Sequence, residues 1–125
     1  MSVLVDTSIV FDYLRGHHGA ADLLEQERGA GVLHASEITR LEVLAGMRTT
    51  EQRQTRLLLS TLRWHPVDAE VAETAGDLGR TWLPSHGSID GADLAIAATA
   101  VLIHARLLTV NVRHFPMFSG LDRPY

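Results

Sequence analysis

From Ala92 to Ile103 the chain is apolar at almost every position, with no polar face at helical spacing. A surface helix keeps one apolar stripe and one polar face, so a run apolar all round predicts a buried helix. It is about half the ~20 residues a bilayer span needs, and no membrane segment is expected. Two carboxylates stand at its entrance, Asp90 and Asp93. Asp90 reads first as the N-cap, with Asp93 three residues on as its capping-box acid, and second as an outer ligand to a bound ion.

The remaining pattern alternates short β runs with helices. Ser2–Val5 is a strand that stops on Asp6-Thr7-Ser8; Thr7 and Ser8 are N-cap types for a helix from Ile9 to Leu14, ended by Arg15-Gly16. His17-His18-Gly19 reads as a solvent loop, followed by a helix from Ala20 to about Arg28. Val32–Ala35 is the second strand, and Ser36 caps a helix through Ile38–Met47. Ile38, Leu41 and Ala45 form its expected inward stripe. Glu42 flanks that stripe, with Gly46 one turn later leaving room for an ion or a backbone; Glu37 and Arg40 point to solvent. Glu51–Leu62 is a further helix, Trp64–Val67 a strand-like piece, and Asp68 opens an amphipathic helix through Val71, Ala75, Leu78 and Trp82. After the buried helix, Leu107–Val110 is the last main strand, ending on Asn111. Arg113 to Phe118 then reads as a turn and an apolar plug under the sheet. This βα alternation predicts an α/β fold: a short central parallel sheet with helices on both faces.

Composition narrows the chemistry. The 125 residues fit one domain, 1–125, able to bury a core without staples. There is no cysteine, which excludes disulfides and zinc–thiolate sites. Asp6 follows the N-terminal apolar run so closely that no signal peptide is expected, and a cytoplasmic location is the default. All eleven basic residues are arginine, and the net charge of −4 argues against a general nucleic-acid binder. Yet Asp6, Glu42, Asp90 and Asp93, gathered around a metal ion, would account for that whole excess.

Asp6 ends the first strand, where open parallel sheets place their ligands, although it also suits a helix cap. If the first and last strands are neighbours, Asp6, Glu42, Asp93 and Asn111 share the carboxyl edge of the sheet. Oxygen donors without cysteine or an organised histidine set select a hard ion, Mg²⁺ or Mn²⁺. Several buried carboxylates cannot all stay ionised without such a cation.

These residues carry a resemblance. Asp6-Thr-Ser, Leu41-Glu-Val-Leu-Ala-Gly46, Asp93-Leu-Ala-Ile-Ala-Ala-Thr-Ala100 and Leu108-Thr-Val-Asn111 with Phe115 together resemble a PIN domain, and more narrowly the VapC toxins of bacterial toxin–antitoxin pairs. The likeness covers essentially the whole chain. It implies a single PIN-like nuclease domain in which Asp6, Glu42 and Asp93 are the acidic metal ligands. Asn111 takes a fourth catalytic position that is often Asp, and Thr7 the hydroxyl position after the first acid. Two departures stand out: Asn111 brings one negative charge fewer, and Val110 stands where the family often has arginine.

The implied function is a type II toxin: a metal-dependent endoribonuclease cutting tRNA or rRNA loops through a metal-activated water. Arg15, Arg48 and Arg113 are candidates to grip phosphates. The implied partners are a cognate antitoxin and a second copy of the chain. Leu57, Leu58, Leu59 and Leu62 span more of a helix than one core-facing stripe, so either neighbouring helices cover both sides or part of the surface is an interface with a second copy or an antitoxin segment. Two rivals differ in what they require. A receiver-like Mg-binding signalling domain needs a phosphoryl-holding lysine, which this chain lacks. A degenerate PIN scaffold that binds without cutting is favoured only by Asn111.

Overall fold

Strand β1 (Val3–Val5) shows in three residues why the sheet needs cover on both sides. Val3 and Val5 enter one apolar core while Leu4 enters another, the period-2 alternation of a strand buried on both faces. The computed structural model describes residues 2–125. Strands β2 (Leu33–Ser36), β3 (Arg63–His65) and β4 (Arg106–Leu108) join β1 in one all-parallel sheet of order β3-β2-β1-β4. The chain adds β2 and β3 on one side of β1, then returns to place β4 on the other. That reversal puts a topological switch point between β1 and β4, the place where such sheets open a crevice.

Six helices fill the two faces among the described residues: α1 (Thr7–Leu14), α2 (His18–Ala30), α3 (Glu37–Gly46), α4 (Gln52–Leu59), α5 (Ala69–Trp82) and α6 (Gly91–Leu102). One core joins Val3, Val5 and Leu108 to Ile9 and Val10 of α1, Leu24 of α2, Val43 of α3, and Leu58 and Leu59 of α4. The other joins Leu4 and Leu107 to Ile96, Ala97 and Ala100 of α6 and to Phe115. Helix α6 is buried from Ala95 to Ala100, as its all-round apolar pattern requires, and its alanines let α5 pack closely along it. Phe115 is the expected plug, with Met117 and Phe118 packed against the same core.

Several expectations need correction. Helix α1 starts at Thr7 with Asp6 as its N-cap, not Thr7 or Ser8. His17 and His18 are exposed as expected, but α2 starts at His18 rather than Ala20, and His17 is its N-cap, with Nδ1 accepting from the N–H groups of Gly19 and Ala20. Strand β3 begins at Arg63, one residue before Trp64, and stops at His65 rather than reaching Val67. Strand β4 stops at Leu108, not Val110. On α3, Leu41 is 61% exposed and Ala45 is also exposed; Thr39 and Val43 form the buried line instead. Thr39 can take a core position because its hydroxyl finds a partner in Thr7. Gly46 leaves room for the ring of Phe11, which would stand 2.8 Å from an added Cβ, and not for an ion. Arg40 is not simply solvated: it pairs with Glu37 and lies over the Trp64 ring at 4.1 Å.

The leucine run divides sharply. Leu58, Leu59 and Leu62 are buried in the first core, and only Leu57, 68% exposed, faces outward. Leu58 and Leu59 therefore stabilise the fold itself, and a charge at either would cost several kcal/mol, above the ~2–5 typical of Leu→Ala in a core.

Candidate active site

Asp6 sits at the carboxyl end of β1, its backbone N–H donating to Leu108 of β4 at 2.9 Å. Its side chain is 3% exposed as a residue and caps α1 through the N–H of Ser8. Two hydroxyls hold the same oxygen: Ser8 Oγ donates to Oδ2 at 2.6 Å and Thr109 Oγ1 at 2.7 Å. Each hydroxyl is itself oriented by a backbone donor, Val110 N–H to Ser8 Oγ and Asn111 N–H to Thr109 Oγ1. The residues just past β4 thus aim the carboxylate that ends β1. Asp6 thus caps α1 from the carboxyl end of β1, and the same side chain is the one nominated as a ligand.

Glu42 reaches this edge from α3. Thr7 Oγ1 donates to Glu42 Oε1 at 2.7 Å, and Thr39 Oγ1 lies 2.9 Å from the same Thr7 oxygen. Asp93 enters from the first turn of α6. Asp90 and Asp93 form a reciprocal capping box: Asp93 N–H donates to Asp90 Oδ1 at 2.8 Å and Asp90 N–H to Asp93 Oδ2 at 3.2 Å. His114 Nδ1 stands 3.0 Å from the same Oδ2. Burial pushes the Asp93 carboxyl up from 3.8 to about 6. The Asp90 N–H and His114 pull it back, and the Asp90 charge adds to the rise.

One pattern recurs at all three acids. A single oxygen of each takes the protein's donors, and the second accepts none from the described residues. That second oxygen keeps at least a trace of solvent contact, since among the described residues the one wholly buried side-chain polar atom without a partner is Thr55 Oγ1. Carboxylates with one oxygen fixed and one left without a protein donor suit a hard cation. In the present rotamers, no three His, Asp or Glu side chains among the described residues stand close enough to share an ion.

Other nominated residues lie further out. Asn111 is exposed and N-caps the short 3₁₀ turn Val112–His114 without a side-chain capping bond. Asp90 is exposed and acts as the helix cap. Arg15 is engaged by Glu51 at 3.4 Å and lies over Phe11, so it is not a free cation. Arg113 lines a cleft of about 560 Å³ with Asn111, His114 and Arg123.

The PIN domain family matches residues 3–118. The chain is 45% identical over 123 residues to Ribonuclease VapC19 of Mycobacterium tuberculosis, covering 98% of each protein. It belongs to the VapC family of PIN domains. Ribonuclease VapC10 of the same species is 40% identical, over 98% of this chain and 92% of that one. Among solved structures, a toxin–antitoxin complex from Klebsiella pneumoniae superposes with a TM-score of 0.82 at 30% identity, covering 99% of this chain and 98% of that one.

Membership in the VapC family sets aside the receiver-like alternative. The hydrogen-bond geometry, in turn, brings forward residues that the sequence pattern did not assign to the site. Ser8 and Thr109 clasp Asp6, and His114 holds Asp93. Thr109 carried a visible signal, a hydroxyl where the apolar strand Leu107-Leu108 ends at the sheet edge. His114 carried little, being one polar residue before a buried phenylalanine.

Proposed function

We propose that this VapC-family chain is a metal-dependent endoribonuclease, the toxin of a type II toxin–antitoxin pair. Its substrate is a structured cellular RNA of the tRNA or rRNA-loop kind, cut in the cytoplasm. The observation that carries the reading is the shared design of Asp6, Glu42 and Asp93. Each comes from a different element at the β1–β4 switch point, with one oxygen held and the other open. Those three side chains would hold Mg²⁺ or Mn²⁺, with Asn111 as a weaker neighbour in the fourth position. When bound, such an ion lowers the pKa of water in its shell and offsets charge building on the phosphate.

The protein's own residues do the rest. Ser8 and Thr109 fix one oxygen of Asp6 and leave the other free of protein donors, and Thr7 does the same for Glu42. His114 and the Asp90 N–H steady Asp93, whose raised proton affinity marks a site built to receive positive charge. The partner reading, a cognate antitoxin around a toxin homodimer, rests on the similarity to toxin–antitoxin complexes. The test is incubation of the purified chain with total cellular RNA and Mn²⁺, followed by mapping of new 5′ ends. A small set of discrete cuts is expected; RNA left intact would sink the proposal.

A further inference from the structure

The cleft beside the acids has a character of its own. About 560 Å³ in volume, it lies between Ser88, the turn Val110–His114, and Arg123 from the C-terminal segment. That volume falls within the ~300–1,000 Å³ of ligand-binding clefts. No aspartate or glutamate lines it. Arg113 and Arg123 are among the arginines that form no salt bridge among the described residues, unlike Arg15, Arg40, Arg80 and Arg106; what sets these two apart is that they line the same cleft. In a chain of net charge −4, two unpaired guanidinium groups converging on one cleft make a local field opposite to that of the whole.

The arginine from the tail is not on a loose end. Two residues further on, Tyr125 donates to Asp12 Oδ2 at 2.7 Å and packs on His17 with ring centroids 4.6 Å apart. Gly19 makes that seat possible, since an added Cβ would stand 2.9 Å from Tyr125 Cγ. The segment carrying Arg123 is thereby tied to α1 and α2. The other wall is tied to the acids: His114 lines the cleft and holds Asp93 Oδ2.

We infer that this cleft is a phosphodiester subsite for the single-stranded RNA segment that runs past the acids. Arg113 and Arg123 contact a phosphate next to the scissile one, and Asn111 and Ser88 supply neutral hydrogen-bond donors beside them. The inference rests on the ribonuclease reading above and adds the groups that bind the strand. An acidic protein segment would also find two arginines here. The RNA strand is favoured because the cleft opens directly beside Asp93, where a nucleic-acid backbone continuing from the reacting phosphate must place its next charge.

The test is binding of a fluorescent oligouridylate in EDTA, read by anisotropy over a range of salt concentrations. Each single-strand phosphate contact contributes about 0.7 to the slope of log K against log salt. Arg113→Gln and Arg123→Gln should each weaken binding and flatten that slope by roughly 0.7, with the double variant losing both. Arg53→Gln, at an exposed position on α4, should leave slope and affinity unchanged. Both cleft arginines are exposed, so the variants should keep the wild-type melting temperature. Wild-type slope and affinity in the double variant would overturn the inference, as would an unchanged RNA affinity with lost binding to an antitoxin. Cleavage of cellular RNA by the wild type in Mn²⁺ reports on the ribonuclease reading separately. A nuclease whose double variant binds RNA normally would lose the subsite and keep the activity.

Discussion

At the outer side of the sheet, His34 of β2 and His65 of β3 meet Nδ1 to Nε2 at 2.8 Å, with their rings tilted 39°. At the β1–β4 junction, Asp6, Asp93 and Glu42 meet hydroxyls and backbone N–H groups instead. Both clusters are polar and partly buried, yet they close differently. In the histidine pair one ring donates and the other accepts, and burial lowers both pKa values, so the pair stays neutral and needs nothing from outside. The carboxylates cannot satisfy one another in this way. Each spends one oxygen on the protein and leaves one over, and burial pushes Asp93 toward holding a proton. A pair closed on itself stabilises the sheet, whereas carboxylates that each keep one oxygen without a protein donor are where the proposed cation would be held.

The sharpest break between the two should be catalytic. Asp6→Asn, Glu42→Gln and Asp93→Asn are each expected to reduce RNA cleavage at least about a thousandfold, because groups that act as a unit fail together. His34→Gln and His65→Gln should leave the rate nearly unchanged. Single-turnover assays on one mapped RNA, with circular dichroism to confirm folding, would measure both. Wild-type cutting by Asp93→Asn would remove that residue from the site.

A smaller effect is expected from the hydroxyls that aim the acids. Thr109→Val keeps the shape but removes the donor to Asp6 Oδ2, which should cost about 10–100-fold in metal affinity or activity. Thr109→Ser should restore most of it. If valine and serine behave alike in a Mn²⁺ titration, the hydroxyl does not orient the carboxylate.

Smaller still is a difference in pH dependence, with opposite signs at the two clusters. The folded state raises the Asp93 pKa from 3.8 to about 6, so it binds that proton more tightly than the unfolded chain does. The stabilisation is complete below 3.8 and lost as pH rises through about 6. With ~1.4 kcal/mol per pKa unit, that is at most roughly 3 kcal/mol for the metal-free protein. The histidine pair runs the other way: its lowered pKa values favour folding above 6.5, and that contribution falls away as pH drops through the folded-state values. Urea denaturation of metal-free protein from pH 4 to 7 should show Asp93→Asn more stable than wild type at neutral pH and no different near pH 4. An equal stability gap at both ends would show that the Asp93 charge is not what burial opposes.

Much of this was legible in the residues. Helix α6 could be recognised because after its capping box only Thr99 is polar, its hydroxyl donating back to the Ala95 carbonyl, and Asp90 and Asp93 stand in that box. The α/β sheet could be read from short apolar runs that each hand over to a helix. Hidden were the places where polar groups satisfy one another out of sequence. Thr39 is buried and Leu41 exposed because Thr7, 32 residues earlier, supplies the partner that a period-3.6 pattern cannot show. The leucine run misled for a related reason. Leu58, Leu59 and Leu62 fit one core, and only the folded packing of α4 singles out Leu57. The carboxylates themselves were nominated from the chain, but the hydroxyl clasp of Ser8 and Thr109 depends on β1 and β4 being neighbours.

The proposal that the three carboxylates, and not the histidine pair, hold a cation is tested most directly by isothermal titration with Mn²⁺. Wild type, His34→Gln and His65→Gln should give the same binding heat, while Asp6→Asn and Asp93→Asn should lose it. Retained binding in the two aspartate variants, or loss in the histidine variants alone, would contradict the account.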